Sequence, residues 1–405
     1  MTAQMLAGLR VLDLTTIVVG PAATLRLADY GAEVIKIEAI EGDLYRVLGG
    51  PSPTGAHSGG YLHFNRGKRT VGLDLKRPEA REALSKIIEG CDVVVANMRL
   101  KALERLGLDA ATLLARHPTL IHCTITGFGP GGPYRGAPGY DSVFQGVSGI
   151  AATFTARDGA PAYVPLVLCD HLVGEITAGA IMAALLSRHR TGKGSTIEVP
   201  MHETVAAFVL NQHLGPSTFE PPLGPPGDRR TLSPQSRPAQ TADGWISLTL
   251  NTDAQMKGFL TAIGRQDIGE DPRFRTVADR FRNADQWLAV RNNHLMAHTT
   301  AEWLELFAEN DVPAMPCHTL ESLLEDPHLT AAGLFGNQEH PTEGPIRSMR
   351  STVAVDGAFA EPGRPAPPVG WDTRDVLLEA GLSPAQVEAL LASGAGVGRA
   401  AAANT

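Results

Sequence analysis

Asp170 is the side chain whose surroundings most invite chemistry. It follows an apolar segment (Val164, Leu166, Val167, Leu168, Cys169) and precedes a long helix signalled by Leu172, Val173, Ile176, Ile181 and Leu185, running to about Arg188. An aspartate there reads first as an N-cap, because its side chain accepts hydrogen bonds from orphan amides at a helix start. The same position also suits a reactive carboxylate, since the positive end of a helix keeps an anion ionised and aimed. The two readings are compatible, and the residues alone leave both open. His171 beside it is a candidate assistant, although a lone histidine is more often structural.

Other chemistries lack support. Gly127-Phe-Gly129-Pro-Gly131-Gly132 follows an expected strand and satisfies G-x-G-x-x-G. A dinucleotide site needs those glycines to open a helix and an acid about 20 residues on. Pro130 and Pro133 stand where that helix would start, and no acid lies near position 150. A tight glycine loop is the better reading. Thr191-Gly-Lys-Gly-Ser195 lacks the upstream glycine of a P-loop, no HExxH occurs, and Gly146-Val-Ser148-Gly149 is an incomplete nucleophile elbow.

The elements that must position Asp170 alternate between strand and helix. Leu9 to Leu14 is an apolar run fit for a strand buried on both faces. Gly20-Pro21 opens a helix that Gly31 stops, and Ala32 to Ile37 is the next strand. Such a crossover implies parallel strands. Further strands are expected at Thr70 to Leu75, Asp92 to Ala96, Leu120 to Thr126 and Ser195 to Val199, with helices over Pro78 to Glu89 and from about His202. The fold class is α/β, a Rossmann-like doubly wound parallel sheet. Residues 1–213 form this large domain. Residues 214–240, rich in Pro and Gly, read as a linker, and 241–330 as a small α+β domain with a strand at Trp245 to Leu250 and helices at Gln255–Ile263 and Ala301–Glu309. A C-terminal segment, 331–405, carries a Pro-rich run at 361–368 and a helix from Pro384 to Ala392.

The 405 residues allow a large core, and 43% apolar residues suit a globular chain. A net charge of −8 gives no expectation of nucleic-acid or anionic-membrane partners, though local basic residues can still hold an anionic substrate. No signal-peptide core and no run of about 20 apolar residues stands out. Cys91, Cys123, Cys169 and Cys317 are scattered without metal-ligand spacing, which fits a reducing, cytoplasmic compartment.

Several stretches, in order along nearly the whole chain, resemble the class III CoA-transferases of the formyl-CoA transferase and carnitine CoA-transferase type. They include GLRVLDLT from Gly8, LADYGAEVIKIE from Leu27, FNRGKRTVGLDLK from Phe64, ALERLGL from Ala102, GFGPGGPYRGAPGYD from Gly127, RHRTGKG from Arg188 and DPRF from Asp271. The resemblance implies that Asp170 is the catalytic carboxylate. It implies that Lys68, Asn97 and Arg105 hold the phosphates and adenine end of coenzyme A, that Thr16 and Val18 line the site, and that Tyr140 is an aromatic beside the reacting carboxylate. Thr16 and Val18 replace a His and a Gln of formyl-CoA transferase, against oxalate as substrate. Ala39 replaces a basic residue after KIE, and Asn97-Met-Arg99-Leu-Lys101 replaces N-F-x-P-G, so that Arg99 and Lys101 offer themselves as compensating cations.

By the same resemblance no cofactor is permanently bound. Acyl-CoA is a substrate, a small carboxylic acid is the acceptor, and two chains interlock as a homodimer whose large domain is completed by the C-terminal segment. The implied reaction passes through a mixed anhydride and an aspartyl-CoA thioester. Two rivals share the fold: an α-methylacyl-CoA racemase, which needs an acid/base pair at the α-carbon but would meet Tyr140 where its relatives carry His, and a catalytically silent CoA-binding scaffold.

Overall fold

The computed structural model describes residues 4–399. Six parallel strands, β1 (Arg10–Leu14), β2 (Glu33–Glu38), β3 (Lys68–Leu73), β4 (Val93–Ala96), β5 (Ile121–Thr126) and β6 (Ser195–Pro200), and one short antiparallel strand, Gly396–Val397, form the central sheet. The spatial order is Gly396–Val397, β3, β2, β1, β4, β5, β6. Within it lies the order 3-2-1-4-5-6, which reverses direction between β1 and β4. The inner strands are buried almost throughout, which is why they read as apolar runs rather than alternating ones. Beginning at Lys68, β3 starts and ends two residues earlier than expected. The Asp74 amide turns to the Ala395 carbonyl, and the Asp74 side chain accepts from the Lys76 amide, so the ladder stops at Leu73.

The helices that matter for the site are α1 (Val19–Asp29), α2 (Gly59–Asn65), α3 (Pro78–Glu89), α4 (Leu100–Leu106), α5 (Asp141–Val147) and α6 (Leu168–Thr191). Gly174 lets α6 lie close on α1. A Cβ there would stand 2.9 Å from the Ala22 Cβ and from the Val19 carbonyl oxygen. With 24 residues, α6 is long and apolar enough to cross a membrane, a feature the sequence reading passed over. Its contact with α1 and its buried Val173, Thr177, Ala178 and Ile181 make it a core helix of this unit.

The chain divides into two compact units. The first comprises the described residues up to Ser148, Pro165–Ala206 and those from His328 on; the second comprises Gly149–Val164 and Ala207–Pro327. The 214–240 stretch is more than a linker. It contains a short helix, Arg229–Leu232, and a strand, Ala239–Gln240, that pairs with Trp245–Leu248, while Arg291 donates to the carbonyls of Gln235 and Arg237. Helices Asp253–Ala262 and Thr300–Glu309 pack over that small sheet through Phe259, Trp303 and Phe307.

Beneath the β1–α1 turn the first unit buries six ionised side chains in three pairs. Lys68 meets Asp13 at 3.1 Å, Lys36 meets Asp43 at 3.0 Å, and Arg46 meets Glu38 at 2.6 Å, all at most 4% exposed. Charges in such a medium persist only when paired and hydrogen-bonded. Here Lys36 also donates to the Thr15 carbonyl at 2.8 Å, and Thr15 and Thr24 donate to Asp13. Burial works against ionised Asp13, yet Lys68 and Lys36 outweigh it and hold the carboxyl well below the usual range.

Candidate functional site

Ligands of open α/β sheets bind outside the carboxyl ends of the strands, where the strand order reverses. Here that point lies between β1 and β4. Thr16 follows β1 and Asn97 follows β4, and the two lock together: the Thr16 amide donates to Asn97 Oδ1 at 3.1 Å, and Asn97 Nδ2 donates to the Thr16 carbonyl at 3.0 Å. Next comes Ile17 at φ 69°, a β-branched residue in a left-handed conformation. Such strain persists only where surroundings impose it. The Asp43 carboxylate does so by accepting the Ile17 amide at 3.1 and 3.2 Å. Val18 is buried and caps α1 from outside the helix.

The same edge receives Asp170. At the far end of α6, Arg188 bonds the Asp92 side chain and reaches the Thr119 carbonyl, residues that precede β4 and β5. At about 1.5 Å per residue the helix spans roughly 36 Å, so its first turn emerges at the carboxyl ends of the strands. Asp170 sits in that first turn and is not the N-cap; the N-cap position is Val167. The cap comes from another element. Asp141, in the first turn of α5, accepts the Cys169 amide at 2.7 Å and the Asp170 amide at 3.1 Å on one oxygen. Its second oxygen accepts from Gln145 Nε2 at 2.6 Å.

Asp170 is 7% exposed, and no described residue donates a hydrogen bond to its carboxylate. Burial, and next the charge of Asp141, push its pKa up to about 7. The sequence reading, a carboxylate kept ionised and aimed by its own helix end, is corrected here: the amides that would support it are taken by Asp141. Tyr45 stands within the reach of its charge, which together with burial raises the phenol. Phe64 links the Tyr45 ring, 5.9 Å away, to that of His171, 5.1 Å away. Tyr140 precedes Asp141 and is 68% exposed.

Of the expected site residues, Thr16, Val18 and Asn97 thus meet at the reversal point, and Tyr140 is one residue from the group that caps Asp170. Arg105 is exposed on α4, just beyond β4. Lys68 is a correction. Its backbone opens β3, but its side chain is fully buried beneath the β1–α1 turn and spends its ammonium on Asp13, Thr24, Asn65 and the Pro21 carbonyl. It has no face left for a phosphate. The glycine loop at 127–132 opens no helix; the Gly129 amide donates to Glu203 at 2.8 Å, and a Cβ there would collide with that carboxylate. Asp141, Gln145 and Tyr45 were not singled out. The acid that ends the GYD motif was the available signal for the first.

The carboxyl ends of the strands thus carry the Thr16–Asn97 turn pair and a buried carboxylate with no donor on its oxygens, and comparison with known proteins shows which family carries this fold. The model of CoA-transferase family III matches residues 6–373, and the chain belongs to that family. The succinate–glutarate CoA-transferase of Agrobacterium fabrum is 32% identical over 92% of this chain and 95% of its own. The human succinyl-CoA:glutarate CoA-transferase is 30% identical over 92% and 85%. Among solved structures, a CAIB/BAIF family protein from Brucella suis superposes with a TM-score of 0.78 at 29% identity, covering 93% of this chain and 99% of the other. The protein is therefore a class III CoA-transferase, working on acyl-CoA and carboxylate substrates.

The raised acidity constant of Asp170 has a consequence for stability. Between about 4 and 7 the folded state binds a proton that the unfolded state has lost, so this group's contribution falls as pH rises and is most unfavourable above 7. Asp170→Asn is expected to stabilise the fold by up to about 4 kcal/mol at pH 8 and by almost nothing near pH 4. Urea unfolding at the two pH values checks this.

Proposed function

We propose that Asp170 is the covalent nucleophile of the transfer. A carboxylate oxygen of Asp170 attacks the donor thioester carbonyl, the C–S bond breaks, and CoA leaves as thiolate. The thiolate attacks the aspartyl carbonyl of the mixed anhydride, expelling the donor acid and leaving an aspartyl-CoA thioester. An acceptor carboxylate then runs both steps in reverse. Dividing one difficult exchange into easier ones is the gain of covalent catalysis. The observation that carries this reading is the buried Asp170 carboxylate with no donor on its oxygens. It is poorly stabilised as an anion and therefore reactive once ionised. Mass spectrometry of the Asp170 peptide after incubation with a panel of acyl-CoAs tests it. A CoA-sized adduct cleared by free carboxylic acid is expected; CoA esters that bind but leave no adduct would return the site to the racemase or scaffold readings.

The CoA-binding side of the proposal uses Thr16, Val18 and Asn97 as the floor of the crevice and Tyr140 as its aromatic rim. Arg99, Lys101 and Arg105 are exposed around α4, and none forms an ion pair among the described residues. They suit the CoA phosphates and take the place first given to Lys68. Replacing all three with Gln is expected to raise KM for acyl-CoA about tenfold with kcat little changed, the difference shrinking at high salt.

Homodimerisation, with the chains interlocked and the protein acting in the cytoplasm, completes the proposal. Supporting it are exposed apolar side chains on two long helices, Ile176 and Leu186 on α6 and Phe208 and Leu210 on Met201–His213, and four cysteines that are all free. Sedimentation equilibrium at micromolar concentration is expected to give twice the chain mass.

A further inference from the structure

We infer that Asp141 is a positioning residue for the transfer: its carboxylate takes the Cys169 and Asp170 amides, fixes the first turn of α6, and sets a negative charge beside Asp170. The inference rests on the reading of Asp170 as nucleophile and adds the group that governs it.

Three features of the geometry single Asp141 out. First, it caps α6 from 28 residues away, with one oxygen serving both the Cys169 and the Asp170 amides. A helix N-terminus offers its amides and its positive end to whichever anion occupies it. Asp141 occupies it, so Asp170, one turn in, is denied that support.

Second, Asp141 is itself held. Gln145, 1% exposed, donates to its free oxygen and also to the Leu166 carbonyl at 3.0 Å. The residue thereby ties α5 to the segment that leads into α6. Movement of one would move the other, and with it the reacting oxygen atoms.

Third, the charges around Asp170 leave Asp141 without a competitor. The titratable groups around Asp170 are Asp141 from α5, Tyr45 from the β2–α2 connection, and its neighbours on α6, Cys169 and His171, the last with its ring on Phe64 and its acidity constant lowered by burial. Tyr45 and Cys169 are both shifted upward and stay neutral near pH 7. No described cation bonds the Asp170 carboxylate. The Asp141 anion is then the nearest charge able to set how tightly Asp170 keeps its proton.

An ordinary cap would do less. Removing it would loosen the helix start and depress activity equally at every pH. A charge that tunes the nucleophile predicts a displaced pH profile.

The experiment follows formation of the Asp170–CoA adduct in a single turnover of the full-length protein between pH 5.5 and 8.5. Wild type, Asp141→Asn and Asp141→Ser are compared; serine keeps a capping oxygen without charge and serves if the asparagine variant folds poorly. Wild-type adduct formation is expected to rise with a midpoint near 7. Both variants are expected to reach half-maximum about one unit lower, so that at pH 6 the fraction of the maximal rate is about fivefold higher than in wild type. A midpoint that stays in place while the rate falls uniformly would overturn the tuning role and leave a structural cap. Absence of an adduct in wild type would instead overturn the nucleophile reading, and this inference with it.

Discussion

Replacing Asp170 with alanine is expected to lower turnover by at least about 10⁴-fold while leaving the Kd of acyl-CoA within about threefold of wild type. The loss is large because no second group stands ready to do the work. The neighbouring carboxylate, Asp141, has both oxygens engaged, one on two backbone amides and one on Gln145. Affinity is expected to survive because the contacts proposed for CoA, Thr16, Asn97 and the cations around α4, belong to other elements. Oxygen tracing separates this chemistry from proton abstraction by the same carboxylate. In the proposed sequence an oxygen of the acceptor acid ends in Asp170, and an oxygen of Asp170 leaves with the donor acid. An acceptor labelled with heavy oxygen in its carboxylate is therefore expected to label the Asp170 peptide of wild-type enzyme after turnover. A racemase would exchange hydrogen at the substrate α-carbon and transfer no oxygen. Unlabelled Asp170 after many turnovers would remove it from the covalent path.

Much of this site was legible in the sequence because its parts obey local rules. Apolar runs with crossover helices specify the parallel sheet, and the turns after β1 and β4 fall where a parallel sheet presents its ligands. Asp170 stands out as a lone acid between apolar segments. Non-local pairings were harder to read. Lys68 looks like a phosphate ligand in FNRGKR, but it starts a strand, and its four partners come from β1, α1 and α2. The cap on α6 comes from α5, so no local pattern shows that Asp170 loses the support of its own helix. The 214–240 stretch looks like a linker by composition, yet Arg291 pins its backbone from a later helix. Each failure has the same form: a polar residue or a polar segment whose partner lies far away along the chain.

The buried ion pairs are the extreme case, and they carry the largest expected effect on stability. Lys36 occurs in AEVIKIE, a lone cation in a buried strand, and its ion-pair partner Asp43 follows that strand. Lys36→Met is expected to destabilise the first unit by about 3–5 kcal/mol, the range found when one member of a buried pair is removed. Methionine fills nearly the same volume, so the cost is electrostatic and not a cavity. The variant leaves Asp43 fully buried beside Glu38, Asp43 keeping only amide donors, those of Ile17 and Tyr45. It also strips the Thr15 carbonyl of its donor at the strained turn that places Thr16 and Val18. Urea unfolding measures the loss, and KM for acyl-CoA is expected to rise with it, because the turn carries the proposed CoA contacts Thr16 and Val18. Adding Asp43→Asn to Lys36→Met removes the orphaned charge and is expected to recover part of the stability while KM stays high, since the Ile17 amide then faces a neutral acceptor. A single variant within about 1 kcal/mol of wild type would mean that Lys68 alone neutralises both Asp13 and Asp43, and the turn would then owe its shape to packing rather than to charge.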